Sequence, residues 1–365
     1  MKTPGVSILI CCHNGGKRLE QTLRHIALQQ VPDYIPWEVI VIDNGCTDDS
    51  MSVARAEWRK YRVNADFRIV PEPLLGLSYA RMRGFAEAYY SFVLLCDDDN
   101  WLEENYVRNA YHLLLEKPNI GALGGLGKLS YEIDPAVEEL SYIFAAGEQA
   151  PRSGKVKENR IFGAGCVIRH SAWEKLVKSG FKSLLTDRRG TELSSGGDFE
   201  LCYALAILGY DIWYDERLRF THYITRERLT WEYFVRYAFE SSKCFNVLSS
   251  YRLAAANARV DWPPTLVLIR NFLSCTKILL AINIRRLIKA RSSVKVTLYF
   301  RHLMFKYKWM AYFSNFRQMV NTHRQIMEFR ERCRPSQHTL KPVVKKDPVP
   351  ALRLSFFSKH GKPLR

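Results

Sequence analysis

The stretch SFVLLCDDDNWL, residues 91–102, places three consecutive aspartates directly after an apolar run. An uninterrupted apolar run of this length is typical of a strand that is buried on both faces of a parallel sheet. Asp97, Asp98 and Asp99 should then lie where that strand ends. Because carboxylates this close repel one another, we expect a divalent cation to offset them. The alternative is a helix cap, in which Asp99 or Asn100 caps a helix that begins near Leu102.

The N-terminal third of the chain alternates strand-like and helix-like segments. Strands are predicted at residues 6–12, 37–42, 67–70 and 91–96, and helices at about 19–27, 48–61 and 77–90. Such alternation predicts an α/β fold, a mostly parallel, Rossmann-like sheet with helices on both faces. Ligands of such sheets bind beyond the carboxyl ends of the strands, where polar residues follow three of these strands. Those residues are Cys12, His13 and Asn14, then Asp43, Asn44 and Gly45, and the three aspartates.

Beyond residue 120 the alternation is less regular. The segment IFGAGCVIRH, residues 161–170, is predicted as a further strand, and residues 198–208 as a helix. Residues 211–223 are predicted as two short strand-like pieces. From residue 229 onward, basic residues alternate with large apolar ones in a helical pattern, which predicts a basic helical extension at the C-terminus.

The positive charge of the chain is concentrated in that extension. The formal net charge is +17, and residues 258–365 hold 23 Lys and Arg against 4 Asp and Glu. The remaining residues are nearly neutral. This asymmetry indicates an anionic partner for the C-terminal third, either a membrane surface or a nucleic acid. No recognisable nucleic-acid-binding signature accompanies the basic residues, so nucleic acid is the weaker interpretation.

The nine cysteines and the N-terminus favour a cytoplasmic protein. The cysteines lie mostly inside apolar runs and form no paired framework. No secretory leader is apparent, because a strand-like run follows residue 4 directly. Arg270, Lys277 and the pair Arg285 and Arg286 interrupt the most apolar C-terminal stretch, so we expect no membrane-spanning helix. A basic, aromatic-rich helix can instead lie in the interface, which predicts peripheral attachment to the inner face of the cell membrane.

Six segments together resemble a known family. They are VSILICCHN, EVIVIDNGCTDDS, LGLSYARMRGFAEA, FVLLCDDDNWL, FGAGCVIR and GGDFELC, in this order. In this order and at these distances they resemble the nucleotide-sugar-dependent glycosyltransferases of family 2, which have the GT-A fold. The resemblance covers about residues 4–240 and is greatest to bacterial enzymes. It implies an inverting transfer of one sugar from a nucleotide-diphosphate sugar to an acceptor hydroxyl, in the synthesis of cell-surface glycans or polysaccharides, with Mg²⁺ or Mn²⁺ as cofactor. Processive members add membrane spans and a Gln-x-x-Arg-Trp motif, which this chain lacks.

The resemblance also implies roles for individual residues on the donor side. Asp43 corresponds to the carboxylate that binds the nucleobase, although a turn-capping Asp is the alternative. Arg81 matches an arginine near the base or the diphosphate, and Asp97 and Asp99 match the two ends of the family's DxD signature. Asp99 is implied as a direct metal ligand, Asp97 as a ligand of the ribose or of the metal, and His222 as the residue that completes the metal site. Cys11, Asn14, Asn44 and Asp98 are the further donor-binding candidates.

On the acceptor side the resemblance implies a general base. Asp198 in GGDFELC matches the Asp of the family's ED motif, where Gly197 replaces the usual Glu, and Glu200 is expected to support the acceptor. Gly163, Ala164 and Gly165 are expected to give the sugar close access, although glycines in a strand also mark bulges. Asp198 begins a predicted helix, so an N-terminal cap is the alternative reading of this residue.

These assignments predict a domain organisation and leave two rival functions. Residues 1–240 form the predicted catalytic domain, with a donor half to residue 120 and an acceptor half from residue 121. Residues 241–334 form the helical basic region, and residues 335–365 a proline-containing basic tail. The first rival is a sugar-phosphate nucleotidyltransferase, whose arginine-containing phosphate loop the sequence from His13 to Arg18 approaches only loosely. The second is a nucleic-acid-binding protein that uses the basic C-terminal region.

Overall fold

The computed structural model of the protein describes residues 2–135, 137–185, 187–188, 193, 195–256, 262–288 and 292–333. Nine strands lie in this part of the chain: β1 (Thr3–Cys12), β2 (Trp37–Asp43), β3 (Asp66–Pro71), β4 (Tyr90–Asp97), β5 (Asn100–Leu102), β6 (Ile120–Tyr131), β7 (Gly154–Lys155), β8 (Val167–Arg169) and β9 (Asp211–Ile224). Its helices are α1 (Gly16–Ala27), α2 (Ser50–Trp58), α3 (Leu77–Glu87), α4 (Tyr106–Glu116), α5 (His170–Lys178), α6 (Gly197–Ile207), α7 (Trp231–Lys243), α8 (Phe245–Ala255), α9 (Pro264–Ile288), α10 (Ser292–Ser314) and α11 (Phe316–Cys333).

The four strands of the N-terminal third form a parallel sheet in the order β3-β2-β1-β4. Their registers bring the polar strand ends together. Cys12 at the end of β1 pairs with Asp43 of β2, and Cys11 pairs with Asp97 of β4. The predicted strands in this part of the chain are therefore confirmed, and the acidic ends of β2 and β4 lie on either side of the end of β1.

The second half of the sheet is mixed. It continues from β4 through β8, β6 and β9 to β5, and the pairs β4–β8, β6–β8 and β5–β9 are antiparallel whereas β6–β9 is parallel. The long strand β6 was not predicted. The strand predicted at residues 161–170 is wrong for all but Val167–Arg169. Gly165 has φ of 67°, and the Cys166 amide donates to the Gly163 carbonyl, so this glycine segment is a turn.

The residues predicted as two strand-like pieces at 211–223 form the single long strand β9. Helices cover both faces of the sheet. Ile8 and Ile10 of β1 pack toward α1 on one face, and Leu9 packs toward α3 on the other. All three side chains are at most 1% exposed, as expected of a strand at the centre of an α/β sheet. The α/β class with a C-terminal helical extension is confirmed.

The C-terminal helices pack on the preceding part of the chain. Phe300 of α10 is fully buried against Phe234 of α7 and Leu140, and Ile326 of α11 joins the core of the sheet. Helix α9 packs on α10 through Leu268 and its neighbours. The extension is thus an integral helical layer. The tail predicted at residues 335–365 lies outside the described residues.

The outer side of α9 is apolar. Its large apolar exposed side chains recur every three, four or seven residues and are Leu266, Ile269, Leu273, Leu280, Ile284 and Leu287. By length and composition, Pro264–Leu287 is the one helix of the described chain that could cross a membrane, with a mean hydropathy of 1.6 and 22% of the segment buried. One such helix is weak evidence for a span, because a core helix of a soluble protein can have the same length and composition.

Candidate active site

The three aspartates after β4 do not share one counter-charge. The Asp98 carboxylate turns toward α1, where Arg18 Nη2 lies 2.7 Å from Asp98 Oδ2. Thr22 Oγ1 donates to the Asp98 carbonyl at 2.8 Å, which fixes this part of the loop on the same helix. Burial raises the pKa of Asp98 to about 6, although Arg18 opposes that shift. The structure therefore holds Asp98 against α1 rather than toward the open end of the crevice.

Asp99 points the other way, toward β9. The antiparallel register of β5 and β9 pairs Asn100 with His222, and the Tyr223 amide donates to the Asp99 carbonyl at 2.9 Å. This register brings His222 Nε2 to 3.5 Å from Asp99 Oδ2. Two residues 123 positions apart in the sequence thus meet because the short strand β5 pairs with the long strand β9.

Arg228 lies at the same point. Its Nη1 is 2.9 Å from Asp99 Oδ2 and 3.4 Å from His222 Nε2, and its side chain is 15% exposed. Burial alone would raise the pKa of Asp99, but the nearby His222 and Arg228 hold it below its ordinary value. The sequence predicted a divalent ion as the cation that offsets the cluster. The structure adds that the chain supplies arginines of its own at Asp98 and at Asp99.

The donor atoms of Asp99 and His222 nevertheless fit a divalent ion. A carbonyl oxygen can only accept, so the 3.2 Å contact of His222 Nδ1 with the Ala145 carbonyl places the ring proton on Nδ1. In the neutral ring Nε2 then carries the lone pair beside Asp99, an arrangement common in metal-ligating histidines, whereas a protonated Nε2 carries the charge that lowers the pKa of Asp99. In the described residues, no group of three or more His, Cys, Asp and Glu side chains is arranged to hold a metal. Mg²⁺ and Mn²⁺ sites with few protein ligands take the rest from water and substrate phosphate.

Asp97 lies between two clusters of charged side chains. The first is formed by Asp99, His222 and Arg228, and the second by Arg81, Asp187 and Asp198. The side chain of Asp97 is half-buried, and within the described ranges no side chain donates a hydrogen bond to its carboxylate. Arg81 of α3 is the nearby cation. Burial would lower the pKa of Arg81, but the carboxylates of Asp187, Asp97 and Asp198 raise it above its ordinary value. Arg81 thus carries its charge between the strand end and the start of α6.

Asp198 lies in the first turn of α6, beside Arg81. The Gly163 amide donates to Asp198 Oδ2 at 2.8 Å, and the Phe199 amide donates to Oδ1 at 2.8 Å. A Cβ added at Gly163 would lie 3.1 Å from both Arg81 Nη2 and the Asp198 Cβ, so this glycine permits the close approach. Burial, and then repulsion by Asp187, raise the pKa of Asp198 to about 6. A carboxylate with that pKa can accept a proton near neutral pH.

Asp187 is a residue of this cluster that the sequence analysis missed. Its Oδ2 lies 2.9 Å from Arg81 Nη1, and its Oδ1 accepts a hydrogen bond from the Gly197 amide at 2.8 Å. A Cβ at Gly197 would lie 2.3 Å from the Asp187 carboxylate, so the glycine there makes room for Asp187. The Gly197 that departs from the family's ED motif was the signal that could have suggested a second carboxylate from elsewhere in the chain.

The remaining donor-side candidates lie around the loop after β2. Asp43 Oδ1 accepts from the Cys46 amide at 2.9 Å, which is the turn-capping alternative, and Cys11 adjoins Asp97 through the β1–β4 register. The Asn14 side-chain oxygen accepts from the Thr47 amide at 2.8 Å and so orders that loop.

Asn44 has a clear internal role. It is buried and donates to the carbonyls of Glu72 and Leu74, while its oxygen accepts from the Gly76 amide. These bonds fix the segment that precedes α3, the helix that carries Arg81. The structure does not direct the Asn44 side chain into the crevice.

On the acceptor side, the structure brings only part of the predicted set to the crevice. Gly163 lies against Asp198, and Gly165 and the buried Ala164 complete the tight turn before β8. Glu200 is fully buried, accepts from the Leu184 and Leu185 amides and the Ser183 hydroxyl, and has a pKa raised by burial to about 7. It therefore anchors the segment before Asp187 and does not reach the open face.

Comparison with known proteins identifies relatives for the N-terminal half of the chain. Residues 7–176 match the family model described as glycosyl transferase family 2. A cholesterol galactosyltransferase from Borreliella burgdorferi is 29% identical over 107 residues, which cover 29% of this chain and 28% of that protein. A poly-beta-1,6-N-acetyl-D-glucosamine synthase from Staphylococcus epidermidis is 25% identical over 122 residues, 33% of this chain and 28% of that protein. The matches thus span less than a third of the length of these relatives.

A solved structure shows the same fold over nearly the whole chain. It is the mannosyltransferase PcManGT from Pyrobaculum calidifontis, in complex with GDP-Man and Mn²⁺, which covers 90% of this chain and 86% of its own, with 16% identity and a TM-score of 0.53. At that identity the likeness establishes the GT-A fold and nothing further. The family match includes β1, β2, β4 and the aspartates that follow β4. With the fold and these strand ends in agreement, the match over residues 7–176 places this part of the chain in glycosyl transferase family 2.

Proposed function

We propose that the chain is an inverting glycosyltransferase that moves one sugar from a nucleotide-diphosphate sugar to an acceptor hydroxyl. The observation that carries the proposal is the position of Asp198. Its carboxylate is oriented by two backbone amides, has a pKa of about 6, and adjoins Arg81 at the crevice where the strand ends meet. A general base beside a cationic, carboxylate-rich strand end is the arrangement that an inverting transfer to a hydroxyl requires.

The proposed glycosyl transfer is a single displacement at the anomeric carbon. The acceptor oxygen forms a bond to the anomeric carbon, the bond from that carbon to the diphosphate oxygen breaks, and the acceptor proton passes to Asp198. The two amides that hold Asp198 keep it aimed as the acceptor approaches. The nucleoside diphosphate leaves with the bonding electrons, on the face opposite to the attack.

On the donor side we propose that Asp43 binds the nucleobase and that the diphosphate lies near Arg81. Asp97 would bind the ribose or a metal-bound water. Asp99 and His222 are the residues that would hold Mg²⁺ or Mn²⁺. When bound, such an ion neutralises the diphosphate and supports the charge that develops on it. We attribute no direct donor contact to Asp98, because Arg18 holds it against α1.

A product assay separates this function from a nucleotidyltransferase. Incubation with nucleotide-sugars should release nucleoside diphosphate and form acceptor products that carry one added sugar. Release of pyrophosphate from a sugar phosphate and a nucleoside triphosphate would instead establish the rival activity. The structure favours the first outcome, because Arg18, the arginine of the predicted phosphate loop, lies in the first turn of α1 and is engaged by Asp98. Long product ladders from one encounter would contradict transfer of a single sugar.

The pH dependence should report the proposed base. Because Asp198 must be deprotonated to accept a proton, kcat/KM is expected to fall about tenfold for each pH unit below 6 and to level off above it. Asp187→Asn removes a like charge from beside Asp198 and frees Arg81 to approach it, so both changes lower the pKa of Asp198. The acid limb of the profile should then move to lower pH in this variant. If the acid limb of the kcat/KM profile did not move in Asp187→Asn, the group that titrates there would be one other than Asp198.

We further propose that the enzyme works at the inner face of the cell membrane, on a glycan or lipid-linked acceptor in cell-surface polysaccharide synthesis. Helix α9 supports this placement. Its outer side presents apolar side chains with Lys277 and Arg285, while its inner side packs on α10, so it is suited to lie along an interface. Neither α9 nor α10 contains an acidic residue, which fits an anionic lipid surface. An apolar outer face also argues against nucleic acid as the partner.

Flotation with vesicles tests this attachment. The full chain is expected to float with anionic phosphatidylglycerol vesicles and to bind neutral vesicles less, since each basic residue near an anionic surface contributes about 1 kcal/mol. Leu273→Asp with Leu280→Asp should abolish flotation without loss of folding, because both side chains are more than half exposed. As a matched control, Leu115→Asp changes an exposed leucine of α4. Flotation that is unchanged in the α9 variant would exclude this face.

A further inference from the structure

Arg228 occupies the position at which the metal-ligating atoms converge. It ends a short turn, Arg226–Arg228, directly after β9, and its Nη1 lies within 3.4 Å of both Asp99 Oδ2 and His222 Nε2. Those two atoms are themselves 3.5 Å apart, so the three form a compact triangle. An ion bound to both Asp99 Oδ2 and His222 Nε2 would lie close to the guanidinium of Arg228, whichever side of these two atoms it occupied.

The guanidinium of Arg228 is held by aromatic rings, but one of its hydrogen-bond donors has no partner in the part of the chain that the structure describes. Its plane lies over the ring of Phe144, 5.2 Å from the centroid, and at 6.0 Å from that of Tyr233. Aromatic faces stabilise a cation there. Its Nε is buried and has no hydrogen-bond partner among the described residues. A buried unsatisfied donor is a cost that movement of the side chain would relieve.

A divalent ion and the Arg228 guanidinium would repel each other strongly if both lay next to the Asp99 carboxylate. The attraction that holds Arg228 to Asp99 becomes repulsion once a divalent ion takes the same oxygen, and partial burial weakens the screening of that repulsion. One cation must therefore give way to the other. The short turn that carries Arg228 allows its side chain to move without disturbing β9.

We propose that Arg228 is a resident cation that competes with the divalent ion for Asp99 and His222, so that the ion binds there only as the guanidinium moves away. This inference rests on the proposed function, since it takes these two residues as the metal ligands. Arg228 keeps Asp99 compensated in the free enzyme. Displaced, it remains next to the site as a guanidinium, a group suited to binding phosphate oxygens.

Titration of the full chain with Mn²⁺ alone, followed by electron paramagnetic resonance without nucleotide, tests the competition. Arg228→Met keeps the apolar stem against Phe144 and removes the charge. It is expected to bind Mn²⁺ about tenfold more tightly than the unaltered protein, because a nearby like charge is gone. The double variant with Asp99→Asn should lose that gain. Equal or weaker binding by Arg228→Met would overturn the proposal.

A second measurement needs no substitution. Crystals of the unaltered protein soaked in Mn²⁺ should show an anomalous peak at Asp99 and His222, with the guanidinium of Arg228 displaced from Asp99. A peak there with Arg228 still hydrogen-bonded to Asp99, or no peak at these residues, would overturn the proposal even if Arg228→Met failed to fold. Failure of the proposed function would appear differently, as unchanged Mn²⁺ binding in a protein that binds no nucleotide-sugar.

Discussion

Asp198→Asn is expected to lower kcat by a factor of about 10² to 10⁴, the usual contribution of a general base. The amide has the shape of the carboxylate, and its oxygen can still accept from the Gly163 or Phe199 amide. Donor binding should therefore change little, while the amide that faces the new NH2 group loses its acceptor, at a cost of about 1–3 kcal/mol in folding stability. What is lost is the group that accepts the proton of the acceptor hydroxyl. Single-turnover rates with saturating donor would measure this loss without a contribution from product release.

A matched control is available at the surface. Asp211→Asn makes the same chemical change at the start of β9, where the carboxylate pairs with Lys155. Its rate should stay within a few-fold of the unaltered enzyme. If Asp198→Asn behaved like Asp211→Asn, the base would have to be another group, and Glu200 could not serve because it is fully buried.

Asp99→Asn should lower turnover by two orders of magnitude or more and remove most of its dependence on divalent ions. The carboxylate is the charged ligand of the proposed ion, and an amide oxygen is a poorer ligand for Mg²⁺ or Mn²⁺. Asparagine is preferable to alanine here. Both substitutions remove the counter-charge of Arg228, but the asparagine oxygen can still accept its hydrogen bond, whereas alanine would remove that partner as well and add a loss of fold to the loss of function.

The neighbouring Asp98 provides the contrast for this experiment. Asp98→Asn removes a carboxylate one residue away that pairs with Arg18 on α1 and faces away from His222. It should weaken folding, while activity at saturating Mn²⁺ falls far less than in Asp99→Asn. Full turnover of the unaltered enzyme in excess chelator, or a larger loss in Asp98→Asn than in Asp99→Asn, would contradict the assignment of the metal to Asp99.

The sequence predicted the parallel half of the sheet because its strands are uniform apolar runs bounded by turn residues. It failed where glycines break that pattern. The long strand β6, IGALGGLGKLSY, contains four glycines that reduce its strand signal, yet Gly125 and Gly127 are placed where neighbouring strands and Tyr106 approach closely. Conversely, residues 161–166 are apolar enough to suggest a strand, but the positive φ of Gly165 turns the chain there.

The sequence likewise predicted some residues of the candidate site and missed others. Residues that follow strands, such as Asp97 and Asp99, could be predicted because the ends of parallel strands meet at one edge. The partners that compensate them could not, since Arg18 lies 80 residues from Asp98 and Arg228 lies 129 residues from Asp99. The Asp187–Arg81 pair spans 106 residues in the same manner. No spacing rule reveals contacts that depend on how β9, α3 and α6 are stacked.

Binding of a nucleotide-sugar is the central claim, and a thermal-shift titration tests it most directly. The full chain would be screened with Mn²⁺ against uridine, guanosine, thymidine and adenosine diphosphate sugars, each with its sugar 1-phosphate as a control. One nucleotide-sugar at a hundred times its dissociation constant is expected to stabilise the protein by about 2.7 kcal/mol, and Asp99→Asn should remove most of that gain. If no nucleotide-sugar raised the melting temperature more than its sugar 1-phosphate did, the crevice at the strand ends would not be a donor site.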